Sequence, residues 1–332
     1  MSMKQRNPMW AVGLLAATTV LGGDEPLRIG MIGLDTSHVI AFTRLLNDPG
    51  QSNHVPGGRV VAAFKGGSPD IESSRTRVDG FTRELEEKFS VRIVETIEAL
   101  CEMVDAVMLE SVDGRPHLEQ ARPVIRARKP LFIDKPMAGS LADVREIFRL
   151  AAEGAVPVFS SSSFRFYESL RKVKLADVGE VRTVISFGPA HLEPHHPDLF
   201  WYGVHPTEAL FAILGTGCET VVRTTTADTD VVSGVWSGGR VGTLVGLRGG
   251  PTPHRVMVFG SKAVAEQEGG GDYAPLLREI IQFFRTGVAP VSPRETLELF
   301  AFMEAADESK RSGGRPVRIA DVLGPADTMP GF

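Results

Sequence analysis

At 332 residues the chain is long for a single hydrophobic core and comfortable for two domains. An apolar fraction of 42% and a charged fraction of 23% are those of an ordinary globular protein, and a formal net charge of -5 excludes the basic footprint that nucleic-acid binding needs. Cys101 and Cys218 fall in segments that read as different domains, so no disulfide framework is expected.

Residues 1–25 stand apart from the rest of the chain. Lys4 and Arg6 precede an uncharged run from Asn7 to Gly23, after which Asp24, Glu25 and Pro26 close the segment. A basic start, a short apolar run and small residues at its end describe a signal peptide and imply a periplasmic or secreted protein; the alternative is a disordered extension of a cytoplasmic one. The run falls short of the roughly 20 residues a spanning helix needs, so no stable membrane insertion is expected.

From Leu27 onward, short apolar runs at Leu27–Ile32, Val60–Phe64, Ala106–Leu109, Leu131–Ile133 and Val156–Phe159 predict buried strands. Helical stretches at Val39–Leu46, Phe81–Phe89, Ile97–Val104, Leu118–Ala127 and Leu141–Ala152 alternate with them. That alternation predicts βαβ units and a parallel Rossmann-type sheet over residues 26–160, with ligands at the carboxyl ends of its strands. Beyond it, Val181–Phe187, Thr220–Thr225, Val231–Trp236, Val241–Val245 and Val256–Phe259 are β-rich. "SGGR" (Ser237–Arg240) marks a hairpin, and helices are expected at Pro206–Leu214, Pro275–Phe284 and Arg294–Ser309. The fold class is therefore α/β, with a second α+β domain over 161–332 built on an open, mainly antiparallel sheet.

The first strand runs into "GLDTSH", Gly33 to His38. A dinucleotide turn would carry two more glycines where Asp35 and His38 stand. Asp35, Thr36 and Ser37 are good helix N-caps, and a helix N-terminus is where a pyrophosphate rests. A carboxylate about 6 Å from a phosphate, at an effective dielectric near 20, costs roughly 2.8 kcal/mol, or about two orders of magnitude in affinity. Asp35 is therefore expected to oppose the cofactor. After the second strand comes Lys65, where an acid would read a ribose 2′-hydroxyl; a lysine suits a 2′-phosphate and tilts the expectation from NAD to NADP, unless it is only a solvated loop residue.

The stretches "VDAVMLESVDGRPHLEQA" (Val104–Ala121) and "KPLFIDKPMAGSLADVREIFRLA" (Lys129–Ala151) carry the most specific signal. Asp134-Lys135-Pro136 matches an E-K-P strand end, and Ser111 to His117 loosely matches P-x-x-x-H. In this order they resemble the Gfo/Idh/MocA family, named for glucose–fructose oxidoreductase and inositol dehydrogenase, over about Leu27 to Ile319. The resemblance implies an NAD(P)-dependent oxidoreductase acting on a secondary hydroxyl of a sugar, polyol or related compound. It also implies a homo-oligomer, dimer or tetramer, formed through the open sheet.

The same resemblance assigns Lys135 to the catalytic centre, where a cation favours the alkoxide. Gly33, Asp35, Thr36, Ser37, His38, Lys65, Glu110, Ser111, His117, Asp134 and Lys135 are assigned to the cofactor. The family's D-x-G-x-H reads Trp201-Tyr202-Gly203-Val204-His205 here. His205 carries over as acid/base and the aspartate position is Trp201; Tyr202 either replaces that aspartate as a proton carrier or is there for apolar packing. Pro206 suits a first helical position, which would make His205 the N-cap and Glu208 a capping-box residue. Arg165 of "FRF" is assigned to the substrate. His191, His195, His196 and Asp198, with Glu193, crowd the segment before His205. A divalent metal such as zinc is one reading of that cluster; the spacing matches no metal motif, so a loop reading substrate hydroxyls is expected and no metal is assigned. Two other functions fit: redox-neutral lyase or glycosidase chemistry on a tightly held NAD, or a sugar-binding protein that has lost the cofactor.

Overall fold

A computed structural model describes residues 25–324, so the segment read as a signal peptide lies outside the described residues apart from Glu25. The first sheet has six strands: β1 (Leu27–Ile32), β2 (Gly58–Phe64), β3 (Arg92–Val94), β4 (Ala106–Leu109), β5 (Leu131–Asp134) and β6 (Val158–Ser161). They lie in the order β3-β2-β1-β4-β5-β6, with every neighbouring pair parallel. β4 and β5 are buried along their whole length, as expected for strands covered on both faces. Helices Ser37–Asn47, Val78–Phe89, Ile97–Met103, His117–Arg126 and Leu141–Gly154 supply the cover. Local chemistry sets their ends: Thr96 Oγ1 accepts from Ala99 N–H at 3.1 Å, and Ser140 Oγ accepts from Asp143 N–H at 3.1 Å. The strand order reverses between β1 and β4, which opens the ligand crevice where these two strands end.

The second sheet has seven strands: β7 (Val181–Pro189), β8 (Cys218–Thr225), β9 (Thr229–Trp236), β10 (Arg240–Leu247), β11 (Arg255–Gly260), β12 (Val264–Glu266) and β13 (Val317–Arg318). Their order is β12-β11-β7-β10-β9-β8-β13. β7 and β10 pair parallel and the other neighbours antiparallel, so the sheet is mainly antiparallel, as expected. The "SGGR" turn joins β9 to β10, with Gly238 at φ 77, where a side chain would be strained. Along β9, Val232, Gly234 and Trp236 point inward, whereas Val231 and Val235 stand 39% and 42% exposed on the open face. Helices Val204–Leu214 and Pro293–Arg311 cover the inner face.

A division at residue 160 misses one feature of the fold. Helix Ala274–Thr286, which comes after the second sheet in sequence, returns to the first. Leu276, Leu277, Ile280 and Phe283 pack with Ile29, Phe132 and Phe159, and the Phe159 and Phe283 rings meet at 4.7 Å between centroids. On the other face of the first sheet, Val107, Leu109 and Ile133 belong to the same apolar cluster as Val184, Val221 and Leu244 of the second sheet. The two lobes therefore share buried surface on both sides of the crevice. Cys101 and Cys218 are both buried and unpaired.

Candidate active site

The crevice between the sheets holds a cavity of about 400 Å³. Its lining includes Thr36, Ser37 and His38, at the start of helix Ser37–Asn47, together with Lys135, Tyr202 and His205. The turn that leads into it is built differently from the sequence expectation. Gly33 has φ +83, and a Cβ there would lie 2.5 Å from Ser111 Cα, so glycine is required for the close approach of the loop after β4. Asp35 is fully buried. Its Oδ2 accepts from Ser74 Oγ at 2.6 Å and its Oδ1 accepts from Val112 N–H at 2.9 Å.

The expected opposition to the cofactor is thus corrected: the Asp35 carboxylate is turned into the protein and ties the turn to two other loops. Removing it strands two buried donors, each worth about 1–3 kcal/mol when left unsatisfied. Asp35→Ala is therefore expected to lower unfolding free energy by roughly 2–4 kcal/mol in a denaturant titration. A change under half a kilocalorie would show that the loops do not depend on it.

Several other residues assigned to the cofactor have protein partners. Thr36 Oγ1 caps the helix, accepting from His38 N–H at 3.4 Å. Lys65 Nζ pairs with Asp79 Oδ1 at 2.7 Å on the surface, and Ser111 Oγ donates to Gln120 Oε1 at 2.9 Å. His117 is fully buried between the carbonyls of Met137 (3.1 Å) and Ser111 (2.9 Å), and burial pushes its pKa down. It straps the loops after β4 and β5 together and does not line the cavity. At the ends of those strands, Glu110 is fully buried, and burial with Asp134 as neighbour pushes its carboxyl well above the usual range. Asp134 Oδ2 lies 2.6 Å from His38 Nδ1, and that contact outweighs burial to hold the Asp134 carboxyl below its ordinary value.

Lys135, His205 and Tyr202 do come together. The Lys135 ammonium lies 5.4 Å from the centroid of the Tyr202 ring, and Tyr202 packs on His205 at 5.7 Å. His205 is inside helix Val204–Leu214, whose N-cap is Gly203, so the N-cap reading of His205 is corrected. Its Nδ1 lies 2.6 Å from Ser162 Oγ, which stands in the role left open by Trp201. Ser162 Oγ also accepts from Phe164 N–H at 3.2 Å, which fixes the hydroxyl. Glu208 does not cap the helix; it is buried and paired with Arg165 at 2.5 Å.

Sequence reasoning missed His254, Tyr273, Tyr167, Ser73 and Arg77, all of which line the cavity. They come from loops and a short helix with no periodicity or motif to mark them. Burial, then Lys135, pushes His254 down to about 4 and His205 well below 6.5. Both rings are neutral in the folded chain at pH 7, whereas the unfolded chain takes up these protons near pH 6.5. The stabilisation is therefore complete above pH 6.5 and is lost as pH falls toward 4. For His254 the full loss is about 3 kcal/mol. The Tm of wild type should accordingly fall more steeply over this range than that of His254→Gln; parallel curves would refute a desolvated ring.

The residues assigned to substrate are mostly engaged elsewhere. Arg165 is buried in ion pairs with Glu208 and with Glu295 (2.7 Å), a structural role imposed by the cost of an unpaired buried charge. His196, with its side chain fully buried, lies 3.1 Å from Asp113 Oδ1 and locks the second lobe to the first. Asp198 pairs with Arg223 and Lys310. His195 is exposed beside Glu193 at 2.7 Å, and His191 stacks edge-on with Tyr202 at 5.3 Å at the rim. Of this group, the structure brings only Glu193 to the cavity wall, with His191 beside it.

Residues 27–162 match the GFO_IDH_MocA sequence profile, described as an oxidoreductase family with an NAD-binding Rossmann fold. This domain belongs to the Gfo/Idh/MocA family. Solved structures of similar fold extend the match over both lobes. Apo scyllo-inositol dehydrogenase from Lactobacillus casei superposes with TM-score 0.73 at 14% identity, covering 90% of this chain and 99% of that one. Myo-inositol 2-dehydrogenase from Lactobacillus plantarum gives TM-score 0.72 at 16% identity, over 89% and 99% of the two chains. An oxidoreductase from Agrobacterium radiobacter, in complex with NAD+, L-tartaric acid and magnesium, gives 0.72 at 16%, over 90% and 100%. No curated protein sequence matches the chain. In this Gfo/Idh/MocA domain the groups left for a dinucleotide are the helix N-terminus with Ser37, Arg77, and the hydroxyl of Ser73, which is buried with no partner among the described residues. These fit a pyrophosphate, and Lys135 lines the same cavity.

Proposed function

We propose that the protein is an NAD(P)-dependent oxidoreductase acting on a secondary hydroxyl of a polyol, sugar or related small hydroxy compound. The observation that carries this reading is the convergence of Lys135, after β5 of the first sheet, and His205, on the helix covering the second, on one cavity that a helix N-terminus also lines. When bound, the nicotinamide supplies the hydride acceptor. His205, with its proton on Nδ1 and donated to Ser162 Oγ, presents Nε2 to take the hydroxyl proton. Lys135, held over the Tyr202 ring, stabilises the developing alkoxide. The inositol dehydrogenases of the same fold support a polyol-like substrate.

Lys65 pairs with Asp79 on the surface, a weak exposed pair that a 2′-phosphate would compete with, so NAD and NADP both remain within this reading. Self-association through the open face of the second sheet is part of the proposal, supported by exposed Val231 and Val235. So is export, which rests on the sequence of residues 1–25. Among the described residues no helix is long and apolar enough to cross a membrane. The test is direct titration of NAD+ and NADP+, followed by nicotinamide absorbance during incubation with a panel of inositols, sugars and hydroxy acids. Turnover with a polyol is the expected result. Failure to bind either nucleotide at millimolar concentration would refute the reading.

A further inference from the structure

We propose that His38, Glu110 and Asp134 form a binding site for one divalent first-row cation such as zinc, buried behind the cavity wall that His38 lines. One ligand atom from each, an imidazole nitrogen and two carboxylate oxygens, lies within 4.8 Å of the others, the spacing that three donors around one ion require. All three residues are buried. The Glu110 carboxylate is fully buried and neither oxygen has a hydrogen-bond partner among the described residues; Asp134 Oδ1 is likewise unpartnered, 2% exposed as a residue. Buried carboxylate oxygens are otherwise hydrogen-bonded, coordinated to metal or paired. Three unpartnered buried oxygens stand beside one imidazole, whose Nδ1 already lies 2.6 Å from Asp134 Oδ2, and they ask for an acceptor of their lone pairs.

The topology explains the assembly. β4 and β5 are adjacent in the sheet, so Glu110 and Asp134 stand at neighbouring strand ends, and His38 enters from the helix after β1. Lys135 and the positive end of that helix work against a cation, as burial works against charge on Glu110, and direct coordination by the three donors has to offset both. Mixed imidazole and carboxylate donors suit zinc or manganese better than calcium. Because His38 and Lys135 line the cavity, the side facing it is left for water or a substrate hydroxyl, as in open metal sites. The proposal stands whether or not the nicotinamide reading does.

The test uses the full chain, stripped with a chelator and titrated with ZnCl₂ and, separately, MnCl₂ by calorimetry. Metal content after desalting is measured by mass spectrometry. One equivalent of zinc per chain is expected, with at least a 100-fold weaker Kd in Glu110→Gln and in His38→Gln. Cobalt substitution of wild type supplies a readout free of variant folding: visible absorption bands of a low-symmetry N,O donor set should appear. Wild type that takes up no stoichiometric zinc or manganese, or folded variants that bind as tightly as wild type, would overturn the proposal. So would a cobalt adduct with the spectrum of the hexa-aqua ion.

Discussion

Lys135→Met and His205→Ala are each expected to lower kcat by about 10²- to 10⁴-fold while nucleotide affinity stays within about tenfold. Methionine keeps the apolar stem of Lys135 over the Tyr202 ring but removes the charge that stabilises an alkoxide. Alanine at 205 removes the imidazole whose second nitrogen is fixed by Ser162. Single-turnover hydride transfer and nucleotide titration on both variants check this. If His205→Ala transfers normally while Tyr202→Phe does not, the proton leaves through Tyr202. If none of the three matters, the cavity is not where chemistry occurs. Ser162→Ala separates positioning from chemistry: it should lower kcat with little change in KM, because Nδ1 loses the partner that sets the tautomer.

The largest stability effect is expected at Arg223. Its guanidinium is fully buried and holds Asp230 at 2.9 Å, Asp198 at 2.8 Å and Asp307. Asp198 begins the short helix Asp198–Trp201, which leads directly to Tyr202 and His205, so the network anchors the cavity wall to the second sheet. Arg223→Met leaves buried Asp307 without its ion-pair partner, while Asp198 keeps Lys310 and Asp230 keeps Arg248, and should lower unfolding free energy by about 3–5 kcal/mol at neutral pH. The pH dependence identifies the cause. Burial already raises Asp307 to about 6 with Arg223 in place, and losing the arginine raises it further. A carboxyl whose folded pKa exceeds its unfolded value penalises folding most at high pH, and the penalty shrinks as pH falls and the group protonates. The deficit of the variant relative to wild type should therefore be smaller at pH 5 than at pH 8. A deficit independent of pH would point to lost packing instead.

Strand and helix positions in the first lobe are legible in the sequence because burial on both faces writes uninterrupted apolar runs, as in β4, and the ends of β1 and β4 match the expectation. β3, three residues at the sheet edge, and β13, two residues, are not, since so short a run carries no period. In the site, Lys135, His205 and Tyr202 were found through a motif and lie together. Arg165, His196 and Asp198 were chosen for their chemistry, and that chemistry is spent inside the protein. Charged and imidazole side chains look alike in sequence whether they face a ligand or a buried partner.

The alternation of elements, the two sheet types and the family turn with its glycine at position 33 are all written in the chain itself. Each depends on local periodicity and backbone preference over a few residues. Which groups are free depends instead on contacts between distant segments. Asp35 meets Ser74 and Val112, 39 and 77 residues away, and so turns its carboxylate into the protein. Helix Ala274–Thr286 covers a sheet that ended more than a hundred residues earlier, because its apolar stripe fits that face. Glu110 is left without a hydrogen-bond partner among the described residues, next to Asp134 and His38, because β4 and β5 are neighbours and the helix after β1 begins beside them. Pairing in space depends on strand order and loop path, and neither is encoded within the span of a single element.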